Sequence, residues 1–277
     1  QNPLRVYFNT LARLWEFLAG VFLALTHWMR DEAFLAWGWR IPFLASAVLV
    51  AVGLWVRLRI TETPEFQRAV AREERVRLPM AAVVRHHPFA LASGTVALVA
   101  TFVLFYLMTV FALSWGTSKL GYSREHFLLL QMLGVLCFAL TIPLSARYAD
   151  RHGRRKAMIV ATVLIIAFGF AFAPLLGSGS GWGVLAFLAL GFGAMGLTYG
   201  PCGTILAEMF PTAVRYTGAS LAFNAAGILG ASPAPYIATR LGERYGLASV
   251  GWYLAAMGVL TLLALLTVRR DPPRERP

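Results

Sequence analysis

The sequence predicts an all-α protein that threads through a lipid bilayer as a bundle of about eight helices. Three observations carry this. Hydrophobic residues make up 58% of the chain and charged residues 14%, against roughly 45–50% and about 25% in soluble domains. The apolar residues form charge-free runs, long enough for the about 20 residues that cross a hydrocarbon layer. The basic residues gather in clusters between alternate runs, as the positive-inside rule asks of a membrane protein.

Residues 1–13 have no clear pattern. Spans are expected near residues 14–28 and 39–58; Glu16 lies near an end of the first, where its charge reads as a poorly membrane-adapted stretch and not as a site. Charge-free runs then follow at residues 88–118, 127–146, 157–207, 216–239 and 245–268. The run 157–207 is too long for one crossing, and Leu176-Gly177-Ser178-Gly179-Ser180-Gly181 breaks it with a turn. The runs are continuous and do not alternate as barrel strands do. In hydrocarbon every backbone N–H and C=O must be paired within the segment, so the helix is the solution.

Orientation follows from the connections. Residues 62–88 carry Arg68, Arg72, Arg75, Arg77 and Arg85; residues 147–156 carry Arg151, Arg154 and Arg155; the tail carries Arg269, Arg270, Arg274 and Arg276. The alternate connections are poorer: 117–126 with Lys119 and Arg124, the uncharged 177–183, and a loop at 240–244 that includes Glu243. The rich connections and the C-terminus are therefore expected on the cytoplasmic side. A short surface helix is expected at residues 67–77. The net charge of +12 does not indicate a nucleic-acid partner, because the basic residues form neither one face nor a tail.

No catalytic constellation is visible. His86, His87, His126 and His152 have neither paired carboxylates nor metal-ligand spacing, and Cys137 and Cys202 lie inside apolar runs without a CxxC partner. Neither enzymatic activity nor a metal or other cofactor is expected. Gly191, Gly193 and Gly196 match GxGxxG formally, but they sit inside an apolar helix without the preceding strand of a dinucleotide site; they read as close helix packing, as do Gly227, Gly230 and Ala231.

The stretch Ala146-Arg147-Tyr148-Ala149-Asp150-Arg151-His152-Gly153-Arg154-Arg155-Lys156 joins two spans on the basic side. Gly153 permits a tight turn. Asp150 ends one helix and can face a neighbouring helix N-terminus, where negative charge is favoured. Arg151, Arg154 and Arg155 supply cations that can pair with acidic groups at an opposite helix end, with Glu208 and Arg215 in the connection 208–218. Such a cluster can hold one side of a transporter shut and open when its halves rock. A merely topogenic loop would not need Asp150 and Gly153 at this spacing.

This D-R-x-G-R-R stretch resembles the loop signature of the major facilitator superfamily, in its second copy; Ala146 and Tyr148 stand where the signature has glycine and leucine. Three further segments, in order, look like the metabolite:proton symporter family within it: Trp37-Gly38-Trp39-Arg40-Ile41-Pro42-Phe43, Glu62-Thr63-Pro64-Glu65-Phe66, and 208–218 with Phe210-Pro211-Thr212. Members carry shikimate, 2-oxoglutarate, citrate, or proline and betaine. The resemblance implies proton-coupled symport of a small polar metabolite, multi-pass in a bacterial inner membrane, by a full-length protein that is monomeric. A drug or metabolite exporter of the superfamily is the alternative, and a non-transporting membrane protein a further one. Family members have about twelve helices in two six-helix halves. The resemblance therefore implies a chain lacking its first four helices, with residues 1–60 a remnant of the N-terminal half, 61–88 the interdomain loop, 89–268 the C-terminal six-helix domain and 269–277 the tail.

Carriers of this kind bind substrate near the bilayer midplane, so polar residues inside spans are candidates: Tyr106, Gln131, Tyr199 and Asn224. A buried amide must be hydrogen-bonded. For Asn224 a neighbouring helix and substrate are equal alternatives; for Gln131 the structural partner is favoured. The clear spans carry no Asp, Glu, Lys or Arg near their centres. A proton-coupling group and a basic partner for a carboxylate are therefore expected in the N-terminal helices.

Overall fold

A computed structural model describes residues 33, 36–41, 44 and 79–267. The chain forms two units, residues 1–72 and 73–277. In the first, Gly38–Arg40 makes one 3-10 turn. Trp37 N–H donates to Ala33 O at 3.1 Å, and Arg40 Nη1 donates to Ala36 O at 2.7 Å. The spans expected near 14–28 and 39–58, the surface helix at 67–77 and the tail 269–277 lie essentially outside the described residues.

The regular elements of the second unit, among its described residues, are all helical. A short helix α1 (Pro79–His86) occupies the end of the stretch expected to be a loop. Helix α2 (Pro88–Ser118) follows, with Pro88 in its first turn, where the absent N–H costs nothing. Then come α3 (Arg124–His152), α4 (Arg154–Leu176) and α5 (Gly181–Glu208), with Ser123 capping α3 by accepting from His126 N–H at 3.2 Å. A 3-10 turn at Thr212–Val214 leads to α6 (Arg215–Ala226), a π-turn (Gly227–Ala231) and α7 (Ala234–Tyr245); α8 (Leu247–Thr267) is the last described element. Helices α2, α3, α4, α5 and α8 are each long and apolar enough to cross a membrane. Residues 215–245 form a sixth rod, interrupted by the π-turn and by a turn at Ser232 and Pro233. Among the described residues the fold is thus an all-helical bundle, with five helices able to cross a membrane.

Two connections differ from expectation. The loop placed at 240–244 is helical: α7 runs to Tyr245, and Gly246 alone, at φ 84°, makes the corner to α8. Likewise α3 continues through Asp150 to His152, and Gly153, at φ 96°, is the whole joint to α4. A charge does not end a helix; a residue free to adopt left-handed φ does. The break at 177–180 is where the glycine-serine run puts it.

Small residues set the packing. Helix α3 lies along α5 and α4 along α8. A Cβ on Gly169 of α4 would come within 2.6 Å of Gly251 O of α8, and one on Gly200 of α5 within 2.8 Å of Ile142 O of α3, so these backbones touch. Gly191 and Gly196 of the formal GxGxxG likewise face Met108 and the α3 backbone at Phe138. Hydroxyls stitch the same seams: Ser145 donates to Leu197 O, and Thr261 donates to Val96 O at 2.8 Å while accepting from Ala100 N–H at 3.2 Å. The core holds Phe111, Phe168, Phe172 and Phe187, with Phe172 and Phe187 edge-to-face at 4.8 Å. Outward, Leu129, Leu133, Leu136, Leu140 and Leu144 form one exposed apolar face of α3.

Candidate functional site

Residues 215–245 are organised by a period of four. Gly218, Ala222, Ala226, Gly230, Ala234, Ala238 and Gly242 are all buried. Two positions out of phase, Tyr216, Ser220, Asn224, Ile228, Ser232, Tyr236, Arg240 and Arg244 are all exposed. An α-helix repeats every 3.6 residues, so a period of four drifts around it. The π-turn at Gly227–Ala231 has a wider repeat and offsets that drift. The result is a rod with a Gly/Ala seam against the bundle, where Gly230 approaches Val99 O, and a polar stripe on its opposite face.

Asn224 belongs to this stripe. It was expected as a buried amide; instead it is exposed, and its Nδ2 donates along its own helix to Ser220 O at 2.8 Å. The correction has a simple cause: hydropathy along a run reports depth in the membrane, not the direction a side chain faces. Gln131 is the buried amide, 7% exposed. Its Nε2 donates to Met108 O at 2.7 Å and Thr109 O at 3.0 Å. Both carbonyls lie in a π-turn of α2, Leu107–Phe111, whose widened backbone presents acceptors to a neighbour. Tyr106 and Tyr199 border the central apolar core, half-buried, with Tyr199 edge-to-face on Phe138 at 5.3 Å. Cys202 is buried, its Sγ directed to Tyr199 O at 3.3 Å.

At the opposite end from Gly246, the charged residues separate into distinct roles. Arg154 forms an ion pair with Glu208, joining the start of α4 to the end of α5. Arg155 does not pair with a carboxylate: its Nε donates to Leu265 O at 2.8 Å and its Nη2 to Leu266 O at 2.9 Å. It thereby ties the start of α4 to the backbone of α8. Arg215 folds back on its own connection, donating to Phe210 O at 3.4 Å and Thr212 Oγ1 at 3.3 Å. Asp150 and Arg151 are exposed, and among the described residues neither enters an ion pair. Of the seven residues singled out as a gate, the structure therefore unites Arg154 and Glu208, ties Arg155 to α8, places Gly153 at the joint between α3 and α4, and leaves Asp150, Arg151 and Arg215 outside that contact.

Residues the sequence reading did not select are Tyr236 and Arg240. The charge pattern puts Arg240 in a loop; the structure places it on α7, its guanidinium over the Tyr236 ring at 5.4 Å from the centroid. The signal was present: the Gly/Ala period runs on through Ala238 to Gly242, past the first charge. No cluster of His, Cys, Asp and Glu able to hold a metal occurs among the described residues.

Residues 32–234 match the Major Facilitator Superfamily. The chain is 48% identical over 255 residues to the inner membrane metabolite transport protein YhjE of Escherichia coli (strain K12), covering 90% of this chain and 58% of that protein. It is 36% identical over 217 residues to the shikimate transporter of the same strain, covering 76% of this chain and 49% of that protein. It is 27% identical over 266 residues to the proline/betaine transporter of Salmonella typhimurium (strain LT2), covering 92% of this chain and 53% of that protein. The chain thus spans about half the length of these curated relatives. With nearly three-quarters of its residues inside one family's pattern, and metabolite transporters of bacteria as its relatives, the chain belongs to the major facilitator superfamily.

Proposed function

We propose that the chain contributes to a secondary active transporter that carries a small polar metabolite across a bacterial inner membrane together with a proton. The polar stripe of residues 215–245 carries this reading. Ser220, Asn224, Ser232 and Tyr236 would be unfavourable against lipid, whereas the leucine face of α3 suits it. A stripe of hydroxyls, an amide and a guanidinium, running along a rod within a membrane bundle, suits a water-filled path for a polar solute. The relatives named for shikimate and for proline and betaine support a substrate with a carboxylate. The Arg154–Glu208 pair, the Arg155 contact and the Gly153 hinge then form the cytoplasmic gate, with the C-terminus on the cytoplasmic side. The carboxylates of the described residues, Glu125, Asp150, Glu208 and Glu243, all lie near helix ends. The proton-coupling group accordingly belongs to segments outside the described residues.

The test uses single cysteines in a background with Cys137 and Cys202 replaced. S220C, N224C and S232C should react with a membrane-impermeant maleimide, and L133C and L140C should not. Equal labelling of both sets would refute the path. Uptake of shikimate or proline into energised vesicles that persists after the pH gradient is collapsed would remove the proton from the reading.

A further inference from the structure

The depth and direction of Arg240 can be worked out from its neighbours. Helix α8 has 21 residues and is about 31 Å long, close to the thickness of a hydrocarbon layer. Ser249, two residues after Leu247, donates its hydroxyl to Leu241 O at 2.9 Å, which sets α7 level with the first turn of α8. From that register Arg240 has its Cα about 5 Å inside the end of α8, and Tyr236 lies about 10 Å inside.

An arginine this near a membrane surface ordinarily extends its long side chain outward to water. Arg240 does the reverse. Side chains on a helix lean toward its N-terminus, which in α7 is the direction of the bilayer centre. The guanidinium follows that lean and rests on the Tyr236 ring, 5.4 Å from its centroid, one turn deeper. Neither side chain is packed away: Arg240 is exposed and Tyr236 is 65% exposed. Among the described residues no carboxylate neutralises the guanidinium; Glu243, one turn toward the membrane surface, does not reach it, and Arg244 stacks separately on Tyr245. A cation directed inward, unneutralised and open on one side, needs water and an anion.

We infer that Arg240, braced on Tyr236, is a carboxylate-binding site on the half of the transport path distant from the Arg154–Glu208 pair. This rests on the polar-stripe reading above and deepens it. The guanidinium offers a fork of donors that matches a carboxylate with two parallel hydrogen bonds. The aromatic face beneath holds that fork in place without consuming its donors. The Tyr236 hydroxyl and Ser232, one turn further along, continue the stripe inward, so a hydroxylated or zwitterionic body attached to the carboxylate meets polar groups. The chemistry recognised is a carboxylate on a small polar molecule. A carboxylate side chain from elsewhere in the protein shares that chemistry and is the competing occupant.

The test is equilibrium binding to the purified chain in nanodiscs, read by ligand-dependent thermal stabilisation. The probes are shikimate, L-proline and glycine betaine, each beside its methyl ester. At least one acid should stabilise the protein and its ester should not. R240Q should weaken that binding about tenfold to a hundredfold. R240K, which keeps the charge but loses the fork, should fall between. Y236L should weaken it less than R240Q. Three results overturn the inference: no acid binds, an ester binds as well as its acid, or R240Q binds the acid unchanged. The last is what a protein carboxylate opposite Arg240 would give. Maleimide labelling of S232C in the same nanodiscs separates the two readings. If Ser232 is accessible while Arg240 is dispensable, the path stands and this site falls; if Ser232 is inaccessible, the path itself is wrong.

Discussion

Replacing Gln131 with methionine isolates a polar contact at little cost in volume. Gln131 is 7% exposed and gives both of its amide hydrogens to α2, at 2.7 Å to Met108 O and 3.0 Å to Thr109 O. These acceptors exist because Leu107–Phe111 is a π-turn. Methionine is nearly isosteric and flexible, so the packing loss is small. What remains is the loss of two interhelical hydrogen bonds. In bilayers such bonds average about 0.6 kcal/mol and reach about 1.7 kcal/mol; leaving buried carbonyls without a donor adds to that. The expected loss is about 1–3 kcal/mol for the pair. Reversible unfolding of the purified protein in mixed micelles, titrated with dodecyl sulfate, measures it. Hydrogen exchange supplies a local signature: amides of Ala112–Ser118, just after the π-turn, should exchange faster in Q131M, while those of α4 should not. A variant as stable as the parent, with unchanged exchange after residue 111, would falsify the reasoning that Gln131 maintains the π-turn.

Other outcomes follow from single contacts. The Arg154–Glu208 pair is partly exposed, with side chains 31% and 42% accessible, so a double-mutant cycle should give a coupling of only about 0.5–1 kcal/mol; R154E should lower transport, and R154E/E208R should restore it, whereas failure of the double reversal would show that the pair is not what matters at these sites. R155Q removes the donors to Leu265 and Leu266 and should cost about 1 kcal/mol, with faster exchange confined to α8 around these two residues. G251A places a methyl against the Gly169 carbonyl and should destabilise by about 1–3 kcal/mol or more; an unaffected melting temperature would mean that α4 and α8 do not approach as described. N224A should change stability by less than about 0.5 kcal/mol, because its amide is exposed and bonds only within its own helix, and a larger loss would return Asn224 to the interior.

Much of the bundle could be read without coordinates. The charge-free runs placed α2, α3, α8 and the break between α4 and α5, because an apolar segment in lipid has little choice but to close its own hydrogen bonds as a helix. The corner at Gly153 was legible because only a residue tolerant of positive φ turns the chain within one position. Gln131 was legible as a structural amide, though not its two acceptors, since a π-turn leaves no charge or turn residue to mark it.

Hydropathy along the chain thus determined which of the described segments are apolar enough to cross a membrane, a question of transfer free energy that each segment answers by itself. Which way a side chain faces is a question about neighbours, and only the packed helices answered it. That is why Asn224 was expected inside and lies on the exposed stripe, and why Arg240 was placed in a loop although it stands on α7 over Tyr236. The pairing of Arg154 with Glu208, and of Arg155 with the end of α8, also belongs to tertiary structure. One-dimensional pattern supplies the charges; the partners they meet are set by how close the glycine seams let the helices come.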